Sequence, residues 1–414
     1  MGSLNVELYG VLLGSLSRAK SGVDFRVNPD AIAKYALSST ILSLAAPLNL
    51  QYTTAQKRRS SNYFAELLPE GRNYEWLERS LPPGERTPYD MLRRYGKDIA
   101  GALIISDPLD PSAGKRSKAE AVDGNQIKTL FEQMPQEALA NSPISGKTSL
   151  GGVQGKIVLA REEGVWKRVH YGYPSTHILK PVVPEYPTMI YDEAFCMNLA
   201  IRAGLTGYPV WIECFGGADA LVIERYDRDK GVIGGRIHQE DFNQALGAHG
   251  NEKYQEYGGK VSANRIAQVL NRFGAKDDVK KFAAQLIFAI SIGNLDMHAK
   301  NVSILHLPDE TLALAPVYDQ VPHRHQNTDG RMAFSIGGEY VHKNISISDI
   351  ANELVSWKCF SFSGKEDTIA YIKNCLQGYD NALKDTPLHK KAYPRLKEEV
   401  SSSISNLLAG KRVG

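Results

Sequence analysis

Cysteines and long apolar runs are scarce in this chain. Its four cysteines among 414 residues show no C-x-x-C spacing and are too sparse for a disulfide scaffold. We therefore expect reduced thiols and no zinc site. No uninterrupted apolar run approaches the roughly 18 residues of a membrane-spanning helix, and the first residues lack the basic segment of an export signal. These absences predict a cytoplasmic protein that is neither exported nor embedded in a membrane.

An excess of either charge is also missing. The 49 basic and 46 acidic residues give a net charge of +3, so composition alone demands neither nucleic acid nor a membrane surface as partner. A hydrophobic content of 43% with 23% charged residues is typical of soluble globular proteins and excludes a disordered chain. The length predicts two or three packed units.

The pattern of apolar residues changes along the chain. Alternation in the first residues, continued by short apolar runs over 23–49, predicts a small β-rich unit. Helical spacing follows around 76–81 and 89–95, and Thr87-Pro88 is typical of a helix start. A charged stretch over 107–125 is expected to be a surface connection.

Beyond residue 238 the spacing is mostly helical. The segments HQEDFNQALG, ANRIAQVLNRFG and DDVKKFAAQLIFAISIG each carry apolar residues three or four apart, which predicts buried helices. The expected division is an N-terminal subdomain over 1–105, a connection with a smaller lobe over 106–228, and a helical lobe over 229–414.

A glycine-rich segment lies near the middle of the chain. Residues 145–157 read SGKTSLGGVQGKI, and a hairpin pattern follows them. Glycines at 151, 152 and 155 would let backbone N–H groups approach phosphate oxygens, and Lys156 adds a positive charge. The spacing is not that of a Walker A loop. A simple glycine-rich hairpin turn would give the same pattern.

A lysine and a glutamate follow the glycine-rich segment. Lys180 ends a predicted strand over 175–181, and Glu193 lies on a predicted helix over 189–205. A buried lysine requires a carboxylate partner, and Glu193 is the nearest candidate. The alternative is a solvated lysine with a glutamate that favours the first helical turn.

An apolar strand over 218–229 then turns abruptly polar. In a two-lobed kinase the connection between the lobes has this pattern, with backbone groups near Glu224 to Tyr226 at the adenine edge and Asp227 at the ribose. A surface strand end with balanced charges would have the same sequence.

The stretch GNLDMHAKN at 293–301 places Asp296 and Asn301 five residues apart after an apolar helix. In phosphoryl transfer that spacing lets a carboxylate hold the acceptor hydroxyl while a neutral oxygen ligand takes a metal ion. Two predicted strands, 302–305 and 311–316, return the chain so that Asp319 lies beside Asn301, which would provide two oxygen ligands for magnesium. Alone, the spacing could equally reflect turns and caps.

The order of these elements distinguishes the interpretations. Glycine loop, strand lysine, helix glutamate, inter-lobe strand, D-x-x-x-x-N and strand-end aspartate follow one another as a protein-kinase-like fold requires. We therefore predict an α+β, two-lobed, kinase-like fold with an added β-rich N-terminal subdomain and a mostly helical C-terminal lobe.

With these residues in hand, the sequence resembles the HipA-type toxin serine/threonine kinases over nearly its whole length. The segments that carry the resemblance are the N-terminal LYGVLLGSL, FAELLPEG, SLGGVQGK, HILKP, YDEAFCMNLA, IERYDR, HQEDFNQALG, GNLDMHAKN and LAPVYD. It implies ATP and Mg²⁺ as cofactors, a HipB-like antitoxin as partner, DNA contact mainly through that antitoxin, and a protein substrate related to translation, such as an aminoacyl-tRNA synthetase.

The resemblance also implies roles for individual residues. Asp296 would be the catalytic base and Asn301 and Asp319 the magnesium ligands. The implied nucleotide contacts are Gly151, Gly152, Val153, Gln154, Gly155, Lys156, Lys180, Glu224, Arg225, Tyr226 and Asp227. Ser149 lies where the family carries an autophosphorylated serine, and phosphate there would repel the phosphates of ATP and switch the kinase off.

Two residues of the catalytic loop have less specific expectations. Lys300 is expected to neutralise charge on the transferred phosphate, and His298 either contacts the nucleotide or braces the loop. Leu295 replaces the arginine of the H-R-D motif, and Tyr318-Asp319-Gln320 replaces D-F-G. The first departure puts arginine-based control by a phosphorylated loop in doubt.

Two other functions compete with a toxin kinase. Small-molecule kinases of the aminoglycoside type also carry a histidine and an asparagine after the catalytic aspartate. A catalytically silent kinase-shaped module that acts with an antitoxin as a DNA-binding corepressor is the other alternative.

Overall fold

The computed structural model describes residues 2–20, 22–79, 81–110, 117–134, 155–275 and 277–414. Within these residues, helices and antiparallel sheets alternate along the chain, as the predicted α+β class requires. None of the helices there combines the length and the apolar content needed to cross a membrane. The four cysteines are free thiols, as predicted.

The N-terminal region is built on an antiparallel sheet in the order β3-β2-β1-β4. Its elements are β1 (Leu4–Leu8), β2 (Val11–Ala19), β3 (Gly22–Val27), α1 (Pro29–Tyr35), α2 (Thr54–Ala65), α3 (Gly71–Arg79), α4 (Pro88–Tyr95) and β4 (Ile104–Ser106). One face of the sheet and the inner faces of the helices share an apolar core. The N-cap Thr87 accepts a hydrogen bond from Asp90 N, and Pro88 begins the helix, which confirms the predicted start of α4.

The short apolar runs over 23–49 were expected to belong to a small β-rich unit, but they form strand only as far as residue 27. Strand β3 ends there and helix α1 begins two residues later. The side chain of Asn28 accepts a hydrogen bond from Asp30 N, and Pro29 occupies the first turn. Asn28 and Pro29 together are typical of a helix start, but the apolar pattern around them was interpreted as part of a β-rich unit.

A second sheet forms the smaller lobe, in the order β5-β7-β6-β8-β10-β9. The elements are β5 (Lys118–Ala121), α5 (Gly124–Glu132), β6 (Ile157–Glu162), β7 (Val165–His170), β8 (His177–Pro181), α6 (Met189–Arg202), β9 (Val210–Phe215) and β10 (Ala218–Glu224). Strand β8 pairs with β10, with Lys180 opposite Leu221. Helix α6 contacts β9 and β10, which places Glu193 behind the sheet.

The larger lobe is mostly helical, as predicted. Its elements are β11 (His238–Asp241), α7 (Phe242–Ala245), α8 (Ala263–Phe273), α9 (Asp278–Ile292), β12 (Ser303–His306), β13 (Leu312–Leu314), β14 (Arg331–Ile336), β15 (Glu339–Val341), α10 (Ile347–Ser356), α11 (Lys365–Asp385) and α12 (Leu396–Leu408). Helix α9 is buried along most of its length in the largest apolar core. It is therefore a rigid mount for the loop that follows it.

The predicted helix over HQEDFNQALG is only partly present. Residues His238–Asp241 form a strand paired with β12, and a single helical turn follows. His238 and Glu240 point into the protein, where Glu240 accepts from Ser43 Oγ and from Nε2 of His306. These buried polar partners lie far away in sequence, so the helical spacing did not reveal them.

Candidate active site

A cavity of about 580 Å³ lies between the two lobes and is closed on one side by the N-terminal region. Its volume falls within the usual range for sites that hold small molecules and cofactors. The smaller lobe contributes Lys156, Val158, Ile178, Lys180 and Glu193, the larger lobe contributes His298, Lys300, Asn301 and Asp319, and the N-terminal region contributes Glu66–Glu70, Leu77 and Tyr95.

Lys180 joins two carboxylates at the cavity wall. Its Nζ lies 2.8 and 3.0 Å from the two carboxylate oxygens of Glu193 and 2.7 Å from Oδ1 of Asp319. Burial alone would raise the pKa of Asp319, but the charge of Lys180 lowers it to about 2. Burial raises the pKa of Glu193, and Lys180 offsets this only in part. The carboxylate of Asp319 is therefore anionic at neutral pH, as a magnesium ligand must be.

The catalytic-loop candidate begins where α9 ends. Gly293 adopts a left-handed conformation (φ 73°) that turns the chain out of the helix. The backbone N–H of Asp296 then donates to the side-chain oxygen Oδ1 of Asn294 at 3.1 Å, and Asn301 Nδ2 donates to the backbone oxygen of Asp296 at 2.9 Å. These bonds hold Asp296 and Asn301 in one compact turn, and the second sets the orientation of the Asn301 amide.

Tyr254 positions the Asp296 carboxylate. Its hydroxyl donates a hydrogen bond to Oδ1 of Asp296 at 2.8 Å. Asp296 also lines a smaller recess together with Tyr254, Leu295, His323, Thr328, Asp329, Arg331 and Ala333. The carboxylate thus borders this recess and not the large cavity. The sequence did not single out Tyr254, because 42 residues separate it from Asp296.

His298 is buried beside this pair. Its ring packs edge-on against Tyr254 at 5.3 Å between centroids, and Nε2 lies 3.8 Å from Oδ2 of Asp296. Burial, followed by the charge of Lys253, holds the pKa of His298 well below its ordinary value. The ring is therefore neutral at physiological pH. It packs against Tyr254 and also borders the large cavity, so both expected roles remain proposals.

Lys300 faces carboxylates of the N-terminal region. Its Nζ lies 2.8 Å from Oε2 of Glu66 and 3.2 Å from Oε1 of Glu70. Glu66 also accepts hydrogen bonds from the backbone of Gly250 and the side chain of Asn243. Both glutamates belong to the segment FAELLPEG, to which the sequence had assigned no role. Their pairing with a residue more than 200 positions away was not visible in local spacing.

The side chains of the inter-lobe connection mainly join two regions of the protein. Arg225 binds both carboxylate oxygens of Asp227 at 2.9 and 2.8 Å, and it donates to the backbone oxygen of Ile99. Asp227 also accepts from Gly101 N at 2.8 Å. Although burial opposes ionisation, Arg225 and Arg228 lower the pKa of Asp227 to about 2. This carboxylate already has several partners, so the expected ribose contact would compete with them.

The other nucleotide candidates differ in their surroundings. Glu224 is exposed, and the ring of Tyr226 lies between those of Tyr208 and Tyr318, at 5.5 and 5.8 Å. All four residues from Glu224 to Asp227 border the cavity. Lys156 borders it as well, and Gly155 lies just before it.

The remaining glycine-loop predictions lie outside the described residues. These predictions concern Ser149, Gly151, Gly152, Val153 and Gln154.

The donor set fits magnesium and a nucleoside triphosphate. Asn301 and Asp319 both line the cavity and supply the oxygen ligands that magnesium prefers. Among the described residues there is no group of three histidine, cysteine or acidic side chains arranged around a metal position. Magnesium does not require one, because it is usually held by one or two protein groups together with substrate phosphates. Lys180 adds a cation for those phosphates.

Comparison with known proteins identifies the family. The model of the HipA N-terminal domain matches residues 4–106, and the HipA-like C-terminal domain matches residues 148–382. A Sinorhizobium fredii protein named as a kinase is 31% identical over 77% of this chain and 76% of its own length. The serine/threonine-protein kinase toxin HipA of Shewanella oneidensis is 27% identical over 84% of this chain and 82% of its own length.

A solved structure confirms the predicted fold. HipA in the Shewanella oneidensis MR-1 complex of HipA, HipB and operator DNA aligns with a TM-score of 0.81 at 22% identity, covering 98% of this chain and 96% of that one. The matched domains together span most of the sequence. The chain therefore belongs to the HipA family of toxin kinases.

Proposed function

We propose that this protein is an ATP- and magnesium-dependent serine/threonine protein kinase that acts in the cytoplasm as the toxin of a type II toxin–antitoxin system. The observation that carries the proposal is the convergence of Lys180, Asn301 and Asp319 on one cavity, with Asp296 bonded through its backbone oxygen to Asn301 and lining a neighbouring recess. These are the parts that phosphoryl transfer requires: a cation, two metal ligands and a carboxylate for the acceptor.

Each residue has a defined task in this proposal. Asp296, oriented by Tyr254, accepts the proton of the acceptor hydroxyl at its carboxylate. Lys180 binds phosphate oxygens and is itself held by Glu193. Asn301 and Asp319 would hold magnesium, which supplies charge neutralisation on the triphosphate when bound. The apolar and aromatic walls near Ile178, Ile223 and Tyr226 would enclose the base and exclude water.

The finer assignments concern substrates and partners. The acceptors we propose are Ser149 of the chain itself and a translation-related protein, with aminoacyl-tRNA synthetases as the first class to examine. The proposed partner is a HipB-like antitoxin through which DNA contact occurs. The complex of a relative with HipB and operator DNA supports this choice.

Substitution of Asp296 tests the proposal. With labelled ATP and magnesium, we expect Asp296→Asn to reduce phosphate incorporation by about 10²- to 10⁴-fold, because the proton acceptor is lost. Mass spectrometry would locate the phosphate, with Ser149 as the expected position. The matched control is Asp309→Asn, at an exposed turn between β12 and β13, which should leave the rate unchanged.

Three outcomes separate the alternatives. Full activity of Asp296→Asn would overturn the assignment of the base. Nucleotide binding by the unaltered protein without any transfer would favour a silent corepressor. Transfer to small alcohols in preference to protein would favour a small-molecule kinase.

A further inference from the structure

The segment over 386–395, between α11 and α12, crosses from the larger lobe to the smaller one. We call it the C-terminal strap. It lies beyond residue 382, where the match to the family's C-terminal domain ends. Ala392 of the strap is buried in an apolar cluster with Ile190 and Tyr191 of α6 and Leu221 of β10. The strap is thus packed onto the smaller lobe and is not a loose connection.

The strap contacts the first turn of helix α6 through a hydrogen bond and a ring stack. The backbone N–H of Tyr393 donates to Oδ1 of Asp192 at 2.7 Å. The ring of His389 stacks on that of Tyr191, with 4.6 Å between centroids and 7° between planes. Asp192 is fully buried and directly precedes Glu193. The strap therefore holds the residues adjacent to the carboxylate that pairs with Lys180.

The same strap reaches two other elements around the site. Lys391 Nζ lies 2.6 Å from Oδ2 of Asp219 on β10, which also accepts from the hydroxyl of Tyr191. The Tyr393 ring stacks on that of His325 at 4.3 Å and 5°. His325 lies six residues after Asp319, and its Nε2 is 3.2 Å from Oδ2 of Asp192.

Helix geometry links these contacts to the site. Successive residues on a helix point about 100° apart, so Asp192 and Glu193 present their side chains in different directions from one backbone. Asp192 is held by the strap, whereas Glu193 faces Lys180. Restraining Asp192 therefore sets the rotation of α6, and with it the direction of Glu193.

We propose that His389 and Tyr393 are positioning residues: the strap holds α6 and the segment after Asp319 so that Glu193, Lys180 and Asp319 stay assembled for nucleotide phosphates. This inference rests on the proposed function of the cavity. Glu193, Lys180 and Asp319 belong to three separate parts of the chain. The strap directly contacts two of these parts, helix α6 and the segment after Asp319. Neither His389 nor Tyr393 lines the cavity in the described structure, so their effect on nucleotide must act through α6 and the segment after Asp319.

The test uses the full-length double variant His389→Ala/Tyr393→Ala. Loss of two ring stacks should raise KM for ATP, and Kd for a non-hydrolysable ATP analogue with magnesium, by about tenfold. Tyr393→Phe keeps the ring and should remain within about twofold of the unaltered protein. Lys390→Ala, at an exposed strap position, is the matched control and should change neither constant.

The measurements are made well below the melting temperature of each variant, with folding checked by circular dichroism. If the double variant does not fold, His389→Ala alone replaces it, because that ring is half-buried and its removal disturbs less of the core. Unchanged KM and Kd in a folded variant would overturn the inference. If the unaltered protein transfers no phosphate, the proposed function fails, but the Kd comparison still decides the role of the strap.

Discussion

Lys180 and Lys300 both border the large cavity, and both were expected to face phosphate, yet they obtain their partner charges from different parts of the chain. Lys180 is paired with Glu193 and Asp319, within the two lobes. Lys300 is paired with Glu66 and Glu70, in the N-terminal region. Burying an unpaired charge is costly, so each lysine requires such carboxylates. The difference shows that the loop over 293–301 depends on the N-terminal region for the charges that balance Lys300.

The two pairings also differ in what else they hold. Asp319 is itself a proposed magnesium ligand, so Lys180 would both bind phosphate and orient a metal ligand. In contrast, the carboxylate of Glu66 contacts four groups: the side chains of Lys300, His249 and Asn243 and the backbone N–H of Gly250. Glu66 therefore joins the N-terminal region to the loop over 293–301 and to the segment near residue 250. Substitutions of Lys180 and Lys300 should therefore distinguish a role in phosphate transfer from a role in holding two regions of the protein together.

The largest effect is expected for Lys180→Met. Removal of the cation leaves Glu193 and Asp319 buried without the lysine that both contact, which should lower the free energy of unfolding by about 3–5 kcal/mol. Phosphate transfer should fall by about 10²- to 10³-fold. Denaturant titration and labelled-ATP assays would measure both. The control Lys57→Met removes an exposed lysine 3.9 Å from Asp24 and should change stability by less than about 0.5 kcal/mol.

An intermediate effect is expected for Lys300→Met. Stability should fall by about 2–3 kcal/mol because Glu66 is left buried and less well paired, while transfer should fall less than in Lys180→Met. Adding Glu66→Gln should recover part of the loss, with a coupling energy of about 0.5–3 kcal/mol in the double-mutant cycle.

A distant pair provides the comparison for that cycle. Lys300→Met combined with the exposed substitution Glu120→Gln should be additive within about 0.5 kcal/mol. A coupling with Glu66 no larger than this value would contradict the joining role.

The smallest effect concerns pH. Burial, followed by the charges of Glu66 and Glu70 and in spite of Lys300, raises the pKa of Asp241 to about 7. Between about pH 4 and 7 the folded state then binds a proton that the unfolded state has released. Stability should therefore fall as pH rises through this window. Asp241→Asn should abolish a decrease of about 2 kcal/mol in the free energy of unfolding over this pH range, a value that allows for the partial exposure of the side chain. The amide oxygen of the asparagine can still accept the hydrogen bond from Gln244 N.

Urea titrations of both proteins from pH 4 to 8 would measure this difference. Other groups such as His249, whose pKa is raised by Glu66, are present in both proteins and cancel in the comparison. Asp319, whose pKa is lowered to about 2, contributes a slope only below about pH 5, where the unfolded state begins to bind its proton, and this contribution is also common to both proteins. Parallel curves for the two proteins would show that Asp241 does not hold the proton.

Sequence order was sufficient to place Lys180, Glu193, Asn301 and Asp319 on one cavity. Each follows from a local pattern: a strand, an amphipathic helix, a short loop and a hairpin that returns the chain. Their chemical roles stay predictions until the substitutions above are made.

The partners of Lys300 and Asp227 could not be predicted from local sequence patterns. Glu66 lies 234 residues from Lys300, and Gly101 lies 126 residues from Asp227. Such contacts arise from packing of one region on another, and spacing within a segment carries no information about them. The strand at 238–241 was mistaken for helix for the same reason, since its buried polar residues have distant partners.

The pairing of Glu66 and Glu70 with Lys300 has a consequence for how such chains can be recombined. A hybrid that took its first hundred residues from a relative would keep the loop after α9 in place only if the donor brought two acids to the same spot. A few charged residues where the N-terminal region contacts the loop after α9 thus determine whether two such parts are compatible, and similarity of fold alone would not guarantee it.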